Sequence, residues 1–226
     1  MSSVLVKRPV GRPRADGKPQ VSRSAIFIVA TRLIAKYGYS GTSLRMIADE
    51  LDIQAPSILN LFKTKERLLI ELIKFLSQFS LDFYASLATE NLDADVCLYK
   101  MIYEEVKAVS GANRDAASIF YLPELRLPDF KEAQQQREKM IEHYKAQLVI
   151  GVKSHLFVTM NEDLRAEQIF QLTETAIIAI APQKLGSLKQ QATATAEFVM
   201  QGVLVNPQRL EEIARRAKAC KLKIGV

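Results

Sequence analysis

An all-α fold is predicted, on two observations. From Ser22 onward, apolar residues recur at three- and four-residue intervals, and no stretch of any length alternates apolar with polar residues as a half-buried strand would. The chain of 226 residues is 48% hydrophobic and 25% charged, ordinary for a globular protein and long enough for one or two cores. No apolar run approaches the ~18 residues of a membrane span, and the opening MSSVLVKRPVGRPR has no apolar segment like that of a signal peptide, so a cytoplasmic chain is expected. Cys97 and Cys220 are far apart with no CxxC spacing, which suggests neither a disulfide framework nor a zinc site; no metal or cofactor is expected.

In chain order, residues 1–20 lack periodicity, are rich in Pro, Gly and Arg, and are expected to be a disordered basic arm. Within them KRPVGRPRADGK resembles an AT-hook core: Gly11 permits close backbone approach, Pro13 keeps the chain extended, and Arg12 and Arg14 can enter a narrow minor groove. A solvated arm making nonspecific phosphate contacts fits equally well. The first helix spans about Ser22–Tyr37, with Ile26, Ala30, Leu33 and Ile34 on one face, Gly38 at its end and Tyr39 returning to the core.

From Thr42 to Phe62, Leu44, Ile47, Ala48 and Leu51 form one apolar set, and Ile53, Ile58 and Phe62 continue it on a second short helix. Thr42 is expected to cap the first of these helices; Asp52, Ile53 and Gln54 form the turn; Pro56 fits the first turn of the second, where its missing N–H is not needed. By spacing alone this is either a DNA-binding helix-turn-helix or an αα-hairpin inside a helical core.

Flanking features decide between these readings. Helix, Gly-aromatic, Thr-Ser, helix-turn-helix and then FKTKE, over Ser22–Ile73, together resemble the tetracycline-repressor (TetR) family of transcriptional regulators. The resemblance implies an N-terminal three-helix helix-turn-helix DNA-binding domain over 21–73 and a C-terminal helical ligand-binding and dimerisation domain over 74–226. It also implies a homodimer on a palindromic double-stranded DNA operator, most often a repressor released by a small-molecule effector. Base contacts would come from Gln54, Ala55, Ser57 and Asn60, with Leu61 also outward, and backbone contacts from Thr42, Ser43, Arg45, Lys63 and Lys65. The sequence departs from the family where Asp52 replaces the usual turn glycine and Leu59 the phosphate-binding tyrosine, so the N-terminal arm is expected to supply affinity that the recognition helix lacks. Charge segregates accordingly: residues 1–75 hold 13 Lys and Arg against 6 Asp and Glu, although the chain's net charge is only +6.

A long helix over Glu66–Ala88 links the two parts, followed by helices over Asn91–Ser110, Arg114–Leu125 and Asp129–Leu156. The resemblance implies a ligand pocket enclosed by these helices, with Phe79, Phe83, Tyr99, Tyr103, Phe120, Tyr121 and Tyr144 as candidate lining and His143 and His155 as polar anchors; aromatics at these spacings are more often core, and a mostly apolar lining would favour an apolar or amphipathic effector. Segments Glu162–Ala181 and Lys189–Val205, rich in small residues such as Ala176, Ala179, Ala192, Ala194 and Ala196, are read by the resemblance as the dimerising pair and by pattern alone equally as core. A short amphipathic helix with a basic end follows Asn206. No phosphate loop, nucleophile elbow or metal-ligand cluster favours an enzyme; the alternative to a regulator is a ligand-independent architectural DNA binder.

Overall fold

A computed structural model describes residues 21–112, 114–178 and 186–221 of the chain; the arm with Arg12 and Arg14, and Ala179 in the proposed dimer seam, lie outside them. Ser22 opens α1 (Arg23–Gly41), its hydroxyl accepting from the Ala25 N–H at 3.1 Å. Gly38, at φ +75°, interrupts the helix and turns Tyr39 into the core. The next two helices, α2 (Leu44–Glu50) and α3 (Ala55–Phe62), meet where Ile47, Ala48, Ile58 and Phe62 are completely buried. At Ala48 a larger side chain would push the helices apart. Asp52 takes the left-handed conformation, φ +50°, demanded by the tight turn. The cap of α2 corrects the expectation. Ser43 accepts from the Met46 N–H at 3.1 Å, whereas Thr42 is buried and donates to the Gly38 carbonyl at 2.9 Å, closing α1.

Thr64 caps α4 (Lys65–Ala88), the long helix expected from the sequence. Then come α5 (Ala94–Ala112) and α6 (Arg114–Ile119). The helix expected to run to Leu125 stops earlier: Pro123 pushes Leu122 out of the helical region, and a separate 3-10 turn, Pro123–Arg126, takes over. Lys131–Lys153 forms α7, Glu162–Ile178 α8, Leu188–Gln201 α9 and Leu210–Ala219 α10. A capping box at Ser187 and Gln190 starts α9. The one extended pairing among the described residues is a bridge between Phe157 and Leu204, which ties the end of α7 to the end of α9.

Two cores result. One joins α1 to α4 around Ile26, Ile34, Ile47, Phe62 and Leu69, and also takes in Ile119, Phe130 and Ala133 from α6, the following turn and α7. The other is built around α5, against which α7, α8, α9 and α10 pack. Ala192 and Ala196, expected at a dimer seam, are buried in this second core instead, whereas Ala194 faces outward. Between the two cores α4 is continuous, and Arg67 and Lys74 reach from it to Glu132 of α7 at 2.8 and 2.6 Å.

Candidate DNA-reading head and ligand chamber

Helix α3 stands on its core through Ile58 and Phe62, which fixes what it shows to solvent. Gln54, at the N-cap, and Asn60 are exposed; Ala55 and Ser57 are half-buried beside them; Leu59 and Leu61 are exposed apolar residues on the same helix. The two carboxamides can each offer a donor and an acceptor to a base edge. Around this edge lie Ser43, whose hydroxyl is engaged in capping, Arg45, almost fully exposed near Asp49, and the exposed Lys63. Lys63 has φ +65° and ψ −49°, and the Thr64 N–H reaches back to the Phe62 carbonyl at 2.8 Å, so the chain makes a γ-turn between α3 and α4.

Two of the expected backbone contacts are placed differently. Thr42 is buried, with its hydroxyl already bonded, and is not available to a phosphate. Lys65 donates to the Tyr39 and Thr42 carbonyls at 3.0 and 3.1 Å and lies over the Tyr39 ring at 4.2 Å. Two of its three N–H donors therefore hold the end of α1 against the start of α4, and one remains for an external oxygen.

A hollow lies between α4, α5, α6, α7 and α8. Its inner chamber is lined by Leu76, Ser77, Ser80, Glu105, Ala117, Phe120, Tyr121, Met140, Phe170, Thr173 and Glu174. An outer vestibule shares Phe120, Tyr121, Met140, Phe170 and Glu174 with it and opens past Arg126, Gln134, Arg137, Glu167 and Gln171. Of the expected lining, then, Phe120 and Tyr121 are present. Tyr144, Tyr99 and Tyr103 are packed into the second core, the first with its hydroxyl 3.2 Å from that of Tyr84. Phe79 and Phe83 border a different cleft beside Lys100 and Lys218. His155 is exposed at a left-handed turn, and His143 packs on the Tyr84 ring, where burial lowers its pKa.

The polar groups of the chamber escaped the sequence reading. Glu105 is buried and accepts from Ser80 at 3.1 Å and Tyr84 at 2.8 Å; burial raises its pKa despite these donors. Burial likewise pushes the Glu174 carboxyl up to about 7, with Arg137 pulling the other way. Arg137 itself is paired with Glu167 through two bonds of 3.1 and 2.5 Å and stacks on Phe170. Spacing held the signal: Leu98, Met101, Ile102 and Glu105 share one face of α5, so Glu105 occupies an inward position.

A helix-turn-helix head with an outward recognition helix, joined by one long helix to a hollow helical body, is the arrangement of a DNA-binding transcriptional regulator. Residues 26–72, which hold the helix-turn-helix, match the model of bacterial regulatory proteins of the tetR family. Solved structures share the whole fold. AmtR of Mycobacterium smegmatis superposes with a TM-score of 0.69 at 21% identity, over 93% of this chain and 100% of its own. A regulator from Saccharomonospora viridis, in complex with choline, gives 0.67 at 22% identity over 81% and 98%. FadR from Bacillus subtilis, in complex with stearoyl-CoA, gives 0.71 at 21% identity over 80% and 99%. No curated protein matches the chain by sequence. Among the described residues, no helix is long and apolar enough to cross a membrane.

Proposed function

We propose that the protein is a homodimeric repressor that binds a palindromic operator and is released by a small apolar or amphipathic ligand. The observation that carries this reading is the edge of α3: Gln54, Ala55, Ser57 and Asn60 face outward because Ile58 and Phe62 are buried. One such edge reads few base pairs, so a second copy related by symmetry is needed for a useful site. The outer face of α8 and α9 supports that pairing, since Leu164 and Phe198 stand 56% and 68% exposed on it, with Ala194 small enough for close approach. Ser43, Arg45, Lys63 and the remaining donor of Lys65 are the backbone contacts, and Arg12 and Arg14 of the arm are proposed minor-groove ligands.

The ligand's leverage comes from shared walls. Phe120, Leu122 and Leu125 line the hollow and also pack against the core of the DNA-reading head. A ligand that favours one placement of this segment shifts the population of head positions, and DNA affinity changes by that differential affinity. Choline and stearoyl-CoA, bound by two structural relatives, differ in charge and size, so the ligand class must be read from this chain's own lining. Selection of duplexes from a random pool with the full chain, followed by footprinting, tests the proposal. A palindromic footprint with half-sites about one helical turn apart is expected; salt-sensitive coating without sequence preference would refute it in favour of the architectural alternative.

A further inference from the structure

The inner chamber carries two ionisable carboxyls and, among the residues lining it, no Lys, Arg or His. Glu105 enters from α5, 8% exposed, with hydroxyl donors from Ser80 and Tyr84. Glu174 enters from α8 and has neither a hydrogen bond nor an ion pair among the described residues. The cation that α7 supplies, Arg137, lines the vestibule and is already committed to Glu167. Apart from the hydroxyls of Ser77, Ser80 and Thr173 the rest of the wall is apolar or aromatic, with Phe120, Tyr121 and Phe170 on it and Arg137 over one face of Phe170.

We propose that this chamber takes an organic monocation, a protonated amine or quaternary ammonium on an apolar body, with its charge held between Glu105 and Glu174 and against the aromatic wall. The assignment rests on the chamber being the effector site and adds the ligand's charge to it. An anion would meet two carboxyls and, among the residues lining the chamber, no cation to pair with. A neutral apolar body would bury Glu174 further and leave it still without a partner. An ammonium removes that cost, and a quaternary head gains attraction to the ring faces.

The test is calorimetric titration of the full chain with four probes of one chain length: octylammonium, octyltrimethylammonium, 1-octanol and octanoate. Both cations are expected to bind roughly tenfold or more tighter than the alcohol, the margin of a charge-assisted contact, and octanoate more weakly than either. Glu174→Gln and Glu105→Gln should each lower cation affinity about tenfold while leaving the alcohol within about twofold. Equal binding of octanol or octanoate, no measurable binding of either cation, or unchanged cation preference in both variants would overturn the assignment. Selected operator DNA added to the same samples separates the two ideas. Charge-selective binding without operator release would sink the effector reading and keep the ligand class, whereas release by octanol as effective as by the cations would do the reverse.

Discussion

Replacing Phe198 with alanine tests the twofold symmetry proposed for DNA reading. The ring is 68% exposed on α9, where it borders a groove with Ile169 and Leu172 of α8, and the described residues leave most of it uncovered. A phenylalanine presents roughly 200 Å² of surface, so seating this ring against a partner removes about 140 Å² from water and contributes ~3 kcal/mol at ~25 cal/mol per Å². The substitution keeps the Cβ, leaving about 2 kcal/mol to lose per protomer, and twofold symmetry doubles it to ~4 kcal/mol, or about a thousandfold in the dimer dissociation constant. Because the side chain is exposed in the protomer, folding should change by under ~0.5 kcal/mol. Sedimentation over a concentration series measures the first quantity and thermal melting the second. Operator binding should become second order in protein as the dimer dissociates. A dimer constant within threefold of the parent, with the fold intact, would show that α9 does not form the seam.

Four other perturbations follow from the geometry. Asn60→Ala should lower operator affinity by ~1–3 kcal/mol and relax preference at one base pair, measured by competition among single-site operator variants, whereas uniform weakening would assign Asn60 to the backbone. Arg45→Ala should weaken all duplexes alike and reduce the salt slope of binding by about one; an unchanged slope would remove it from the phosphate contacts. Gly151→Ala would drive a Cβ into the Phe157 ring, and overpacking of ~1–3 kcal/mol should lower the melting temperature by roughly 3–10 °C; no change would mean that the ring moves freely. Glu174→Gln should raise stability at pH 8 and leave it nearly unchanged at pH 4. The folded carboxyl, pushed up to about 7 from the ordinary 4.5, holds its proton more tightly than the unfolded one, so the parent loses stability as pH rises through that interval. A variant less stable than the parent at pH 8 would reverse that sign.

What could be read in advance follows the reach of each interaction along the chain. The head was legible because its determinants are local: Gly38, Asp52 and Pro56 mark the breaks, and Ile47, Ala48, Ile58 and Phe62 name the shared face within one short stretch. The exchange of roles between Thr42 and Ser43 is a one-residue difference in where α2 begins, which spacing does not resolve. The chamber was largely illegible, since its wall is assembled from five helices distant in sequence and aromatics alone do not distinguish a lining from a core. Tyr99 and Tyr144 went to the core, Phe120 and Tyr121 to the wall. The glutamates read as surface charges until the inward phase of Glu105 on α5 is weighed against the hydroxyls of Ser80 and Tyr84 that meet it.

The same packing explains why a chamber event can reach the DNA edge without a dedicated wire. The segment from α6 through the Pro123–Arg126 turn lines the hollow and also packs on α1. Ser40, at the end of α1, donates to Glu124 of that turn at 3.3 Å, and Tyr39 meets Phe130 edge-on at 5.8 Å. Lys65 then ties the same end of α1 to the start of α4. A ligand that moves Phe120 or Leu125 outward therefore acts on the joint where α1 and α4 meet, immediately beside α3. Since buried cores repack between discrete arrangements rather than deform smoothly, a small displacement in the wall would, on the proposed reading, be answered by a reseating of the head, and two heads on one operator would make their separation sensitive to it.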